Sequence, residues 1–213
     1  MNKKLPIVCL VRHGETAWSL SGQHTGLTDL PLTPQGEQKA RHLGAILTGR
    51  TFAEVLTSGL KRADLTCELA GFKTIAKVVP DLVEWDYGDY EGLRTAEIQQ
   101  TRPGWQLFRD GCPGGESLPQ VSERADRVVD RIRSIQGDVL VFSSGHFLRV
   151  LAARWLGQQP SFAQYLLLST ASFSILGYEH SLDEPVIRLW NETEQVTTDS
   201  ALRGEIHHGD TRV

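Results

Sequence analysis

Apolar residues along this chain fall into two patterns. Short unbroken runs at 7–11 (Ile7-Val8-Cys9-Leu10-Val11) and 138–143 read as buried strands. Further strand-like stretches lie at 52–56, 74–79, 171–178 and 186–190. Between them the spacing turns helical. Thr33 is an N-cap with Pro34 at the first helical position, and Ala40, Leu43, Ile46 and Leu47 share one face. A helix over 59–70 is closed by Gly71, and another starts at Thr95 as its cap and stops before Pro103. Residues 105–110 add a further turn or two, and Cys112-Pro113-Gly114-Gly115 breaks the chain. Ser117 caps a helix whose Val121, Ala125, Val128, Val129 and Ile132 line one side, and 146–156 is a helix followed by Gly157. The stretches 19–31 and 81–93 read as loops, the second a structured one.

Strands that alternate with helices predict an α/β fold. The expected architecture is a single-domain three-layer sandwich, with a mainly parallel central sheet, one antiparallel edge strand, and helices on both faces. The antiparallel pairing follows from the absence of a long helix between the last two strands. No internal repeat or linker divides residues 1–213, and 191–213 reads as a polar C-terminal extension. His207-His208 in that extension reads as part of an exposed tail rather than a metal site.

Composition narrows the partners. With 213 residues, 40% of them apolar, and five Trp, the chain can bury a sizeable core. The net charge is −4 with no basic stripe, which argues against nucleic acid as a partner. Cys9, Cys67 and Cys112 form no C-x-x-C pair and suit a reducing compartment. The charged start, Met1 to Pro6, is not followed by a signal-type apolar region, and no run is long enough for a bilayer. The expectation is a soluble cytoplasmic protein with no membrane partner; the sequence leaves a homodimer open.

Four places carry candidate chemistry. Arg12-His13-Gly14 stands where the first strand ends, the position at which open α/β sheets bind ligands. An Arg beside a His there suggests an anion held next to a nitrogen nucleophile. Arg62 falls on the opening turn of a helix and reads either as an anion ligand or as a solvated side chain. Glu84-Trp85-Asp86-Tyr87-Gly88-Asp89-Tyr90-Glu91-Gly92 is dense in carboxylates, and a carboxyl among rings beside a bound anion suits a general acid. Glu84 is the choice, with Glu91 structural. Ser143-Ser144-Gly145-His146 joins a strand to a helix, and its hydroxyls and amides suit an anion pocket, although His146 alone reads as a cap or packing residue.

Together these motifs resemble the histidine phosphatase superfamily, from about Ile7 to Trp190. Arg12 to Thr16, Gly26 to Thr33, Ser58 to Thr66 and Glu84 to Gly92 fall in that family's order. Glu84 to Gly88 and Gly111 to Ser117 resemble a phosphatase branch that holds bacterial acid phosphatases and fungal sedoheptulose-1,7-bisphosphatase.

The resemblance implies a small phosphorylated metabolite as partner and metal-independent hydrolysis of small phosphate monoesters through a phosphohistidine on His13, with a sugar phosphate or bisphosphate and a broad range of phosphomonoesters both open as substrate. It makes Arg12 and Arg62 phosphate ligands and Glu84 the proton donor. Ser19, Thr25, Gly26, Tyr87, Ser144, Gly145 and His146 would bind substrate. No cofactor or metal is implied, and no ligand-spaced His/Cys/Asp cluster is present in the sequence. One position departs from the pattern: Ser144 stands where the family carries its second catalytic histidine, and that role is not transferred to His146. Phosphate transfer of the mutase kind ranks lower, because 92–113 is short and lacks an adjacent Arg pair to grip a carboxylate. A weakly active phosphate-ester binding protein is a third reading. A serine hydrolase built on Ser144 is the fourth, and it lacks a G-x-S-x-G elbow.

Overall fold

The alternation of the two strongest strands sets the layers. In β1 (Val8–Arg12) and β4 (Val139–Ser143), side chains point by turns to opposite faces. Val8, Leu10, Val139 and Val141 enter one core, and Cys9, Val11, Leu140 and Phe142 enter the other. Both faces must therefore be covered. On one side lie α2 (Pro34–Leu47) and α3 (Lys61–Leu69), through Leu43, Leu47 and Cys67. On the other lie α6 (Leu118–Ser134) and α7 (Gly145–Trp155), through Val121, Ala125, Val128, Leu148 and Leu151. This computed structural model describes residues 5–193; the His207-His208 pair lies outside the described residues.

With β2 (Glu54–Thr57), β3 (Ala76–Val78), β5 (Phe173–Tyr178) and β6 (Pro185–Glu192), the strands form one six-stranded sheet in the order β3-β2-β4-β1-β5-β6. Four are parallel, and β5 runs against both β1 and β6. The antiparallel pair thus closes one edge of the sheet, with the reversed strand one place in from it. β6 continues through Asn191 and Glu192, so those residues belong to the sheet and not to the polar extension expected from 191.

Caps behave largely as the sequence implies. Thr33 Oγ1 accepts from Gly36 N at 3.0 Å, and Ser117 closes a box with Gln120. Two readings are corrected. The loop expected from residue 19 begins inside a short helix, α1 (Ala17–Ser21), held by a reciprocal box between Thr16 and Ser19. Thr95 does not cap α4 (Thr95–Thr101); Arg94 does, its N–H donating to Glu97 Oε2 at 2.8 Å. Residues 107–110 form α5 (Leu107–Asp110), a single turn. Among the described residues, no helix is long and apolar enough to cross a membrane.

Candidate active site

The carboxyl ends of β1 and β4 adjoin, and the connections leaving them, with the segment that follows β3, build a hollow of about 270 Å³. Backbone bonds pin the end of β1 from three directions. His13 N donates to Ser143 O at 2.9 Å, Ala171 N donates to His13 O at 2.9 Å, and Gly14 N donates to Thr66 Oγ1 at 2.9 Å. A Cβ at Gly14 would stand 2.6 Å from the Gly36 carbonyl oxygen, so only glycine lets the start of α2 lie this close.

His13 is buried, and its Nδ1 lies 2.7 Å from Gly14 O. With Nδ1–H donated to that carbonyl, Nε2 is the nitrogen left for chemistry. Burial, then Arg12 and Arg62, holds His13 well below the ordinary imidazole range, so the ring is neutral at physiological pH.

Arg12 lines the hollow beside His13, and its Nη1 donates to Leu168 O. Its Nε is buried with no hydrogen-bond partner among the described residues. A Cβ at Gly145 would stand 3.0 Å from the Arg12 guanidinium, so glycine allows that group to rest on the first turn of α7. Arg62 is fully buried beneath the hollow and does not line it. Its Nη1 and Nη2 donate to the carbonyls of Thr28, Thr25 and Gly26 at 3.0, 3.2 and 2.7 Å, and its Nε lies 3.4 Å from Ser144 Oγ. It is not the solvated side chain that the sequence left as an alternative.

Glu84 lines the hollow and accepts three backbone bonds. Oε1 takes Trp85 N at 2.9 Å and Phe147 N at 2.8 Å; Oε2 takes His146 N at 3.0 Å. The carboxylate therefore sits on the amino terminus of α7, where orphan amides meet an anion favourably. Arg124, buried on α6, fixes the approach to it by donating to the carbonyls of Asp81, Val83 and Glu84 and to the Glu116 carboxylate. Glu91 accepts Gly26 N and Thr28 N, a structural use.

The remaining expected residues divide. Ser19, Thr25, Tyr87 and His146 line the hollow. The Ser19 hydroxyl is occupied, accepting from Thr16 N and donating to Thr16 O. Gly26, Ser144 and Gly145 are not among the residues that bound it. Gly26 is buried behind it, holding Glu91 and Arg62. Ser144 is fully buried in relaxed extended backbone (φ −118°, ψ 167°), unlike the strained, exposed serine of a nucleophile elbow. The serine hydrolase reading has no support in this geometry.

Gln23, His24 and Thr95 also line the hollow and were not named as site residues from the sequence. His24 lies 4.8 Å from the Tyr87 ring and 5.6 Å from Trp105, centroid to centroid, with Nε2 3.3 Å from Thr95 Oγ1. Its place in a polar loop at 19–31 gave no periodic signal. Tyr87 O and His146 Nδ1 are 2.5 Å apart, and burial keeps Tyr87 protonated and His146 neutral. The β5–β6 turn gathers Glu179, His180 and Glu184, a grouping the spacing did not show; all three are exposed, and His180 already bonds Glu184. A second hollow of about 320 Å³ at the other end of the sheet, bounded by Ile7, Ile132 and Trp155, has neither His nor Cys in its lining.

Burial holds His24 down at about 4, and His13 and His146 also lie well below the usual range. An unfolded chain protonates its histidines near pH 6.5, whereas these folded ones resist. Stability is therefore full above about pH 6.5 and falls as the pH drops below it. Each such histidine contributes a slope of roughly 1.4 kcal/mol per pH unit until its own folded value is reached. Urea midpoints measured from pH 8 to pH 5 check this; a midpoint that stays flat across that window contradicts it.

Comparison with known proteins places this geometry. Residues 8–193 match the model of the histidine phosphatase superfamily (branch 1). The chain is 41% identical over 177 residues to an acid phosphatase of Mycobacterium tuberculosis, covering 81% of this chain and 87% of that one. It is 38% identical over 184 residues to a sedoheptulose 1,7-bisphosphatase of Saccharomyces cerevisiae, covering 71% and 68% respectively. A solved structure of a Mycobacterium tuberculosis open reading frame product superposes with a TM-score of 0.84 at 38% identity, over 89% of this chain and 99% of that one. The match spans the end of β1, the start of α3, the Glu84 loop and the β4–α7 junction, and the chain belongs to the histidine phosphatase superfamily, branch 1.

Proposed function

We propose that the chain hydrolyses small phosphate monoesters, sugar phosphates among them, through a phosphohistidine on His13, and that Ser144 slows this turnover. The observation that carries the reading is a neutral histidine whose Nδ1 is bonded to Gly14 O, set beside the half-buried Arg12, whose Nε has no partner among the described residues, with the buried Arg62 behind them. A buried donor without an acceptor fits an incoming oxyanion. The relatives named as phosphatases support the same reading.

In the first step, His13 Nε2 attacks phosphorus, the bond from phosphorus to the ester oxygen breaks, and Glu84, entering the step protonated on Oε2, the oxygen that accepts a single amide, gives that proton to the ester oxygen. In the second, water attacks the phosphohistidine, Glu84 takes a proton from the water, and the P–N bond breaks to return neutral His13. Arg12 and, from beneath, Arg62 offset the charge on the transferring group. Glu84→Gln tests the assignment. It should slow release of phosphate from alkyl phosphates by about 10²–10⁴, and from an aryl phosphate far less, since that group leaves without help. Equal losses on both would assign Glu84 a structural part at the end of α7 and overturn its role as the acid.

A further inference from the structure

The wall beyond the reacting end carries no compensating charge. Gln23, His24, Thr25, Tyr87, Thr95 and His146 form it, all hydrogen-bonding groups that are neutral near pH 7. Arg12 is the only cationic side chain in the lining among the described residues, and it stands beside His13. The cations on surrounding elements are directed elsewhere. Arg149, on α7, lies over the Phe108 ring at 4.5 Å and donates to the carbonyls of Ala163 and Gln164. Arg94 pairs with Glu97 at 2.8 Å, Arg109 pairs with Asp110 at 2.7 Å, and Arg124 pairs with Glu116 at 2.7 Å.

We infer that this hollow selects a phosphate ester with one phosphate and an uncharged, hydroxyl-bearing leaving group, of the size of a pentose or hexose monophosphate, and disfavours bisphosphates and carboxylate-bearing phosphates. The inference rests on the phosphatase reading above and specifies its substrate class. A hydroxyl entering the hollow exchanges bonds to water for bonds to amide, hydroxyl and imidazole groups. A second phosphate or a carboxylate entering it loses hydration and meets no positive partner, a costly exchange. The volume of about 270 Å³ holds a small sugar phosphate.

The test uses the intact chain at pH 7.5 with 4-nitrophenyl phosphate, ribose 5-phosphate, fructose 6-phosphate, fructose 1,6-bisphosphate and 3-phosphoglycerate. Expected is a kcat/KM for the two sugar monophosphates at least about tenfold above that for the bisphosphate and the phosphoglycerate. Equal or better use of either compound with two anionic groups overturns the inference while leaving the phosphatase reading intact, since the aryl phosphate reports on that reading separately. If none of the five is turned over, the phosphatase reading fails, and calorimetric titration with the same sugar phosphates decides the selectivity. Tighter binding of the monophosphates sustains the inference; tighter binding of the bisphosphate, or no binding of any, ends it. Thr95→Arg adds a cation at an exposed point of the wall and should move the ratio of bisphosphate to monophosphate kcat/KM upward by about tenfold. An unmoved ratio would show that this wall does not set the charge preference.

Discussion

His13→Ala is expected to abolish turnover, with a loss on the order of 10⁴–10⁶ in kcat from whatever level the parent shows. The reason lies in the division of labour at the end of β1. The backbone of His13 is tied to Ser143 and Ala171, and these bonds do not need the side chain. The side chain makes one local bond, from Nδ1 to Gly14 O, and its Nε2 remains for the substrate. Truncation therefore removes the nucleophile and leaves the scaffold. Arg12 and Arg62 stay in place, so inorganic phosphate should still bind, within about tenfold of the parent affinity. Incubation with a radiolabelled phosphate ester, followed by acid lability of the label, reads the intermediate directly. The parent should carry acid-labile phosphate and the variant none. Residual activity within tenfold of the parent, or a labelled variant, would place the nucleophile elsewhere.

Ser144→His is expected to act in the opposite direction and raise kcat by about two orders of magnitude. Ser144 is fully buried at the head of α7, outside the lining of the hollow, and its hydroxyl accepts a long contact from Arg62 Nε at 3.4 Å, so the serine offers an oxyanion beside His13 no direct bond from the wall. A neutral hydroxyl supplies roughly 0.5–1.5 kcal/mol in such a bond, against about 1.5–3 kcal/mol for a donor that carries charge. Loss of one donor to a developing oxyanion typically costs on the order of 10²–10³ in rate. A larger imidazole at this position also reaches further toward the hollow than the serine does. Phosphate affinity should change less than kcat, because the arginines supply most of the ground-state attraction. Steady-state kinetics on an aryl phosphate, with thermal unfolding run beside it to show that the variant folds, checks the expectation. A parent that is already fast and a variant that is no faster would assign the missing donor to another group, His146 being adjacent to the hollow and bonded to Tyr87.

What the sequence determined by itself is whatever depends on near neighbours along the chain. Two apolar runs gave β1 and β4, because a strand covered on both faces needs apolar side chains in both directions. Thr33-Pro34 and Ser117 announced α2 and α6, because a cap satisfies amides only three residues away. The order of Arg12-His13-Gly14, Arg62, Glu84 and Ser144 carried the family, since each motif is contiguous. Helix α1 escaped because five residues span too little of a turn pattern to show a period; the Thr16–Ser19 box and the left-handed Gly22 cap close its two ends.

The tertiary structure alone decided how those motifs meet. Arg62 reads from the sequence either as an anion ligand or as a solvated side chain on a first turn; packing against the 25–28 loop buries it entirely and directs its donors to carbonyls. Glu84 follows its own loop in the chain, yet its carboxylate is held by amides of a helix some sixty residues later. His24 and Thr95 become a wall only when the loop at 19–31 folds against the start of α4. The protonation of His13, His24 and His146 is set by burial, which is a property of everything packed around a group and of no short stretch of chain. Local patterns specify elements and the residue types available for chemistry; desolvation and charge compensation arise from long-range packing, and these decide what each of those residues can do.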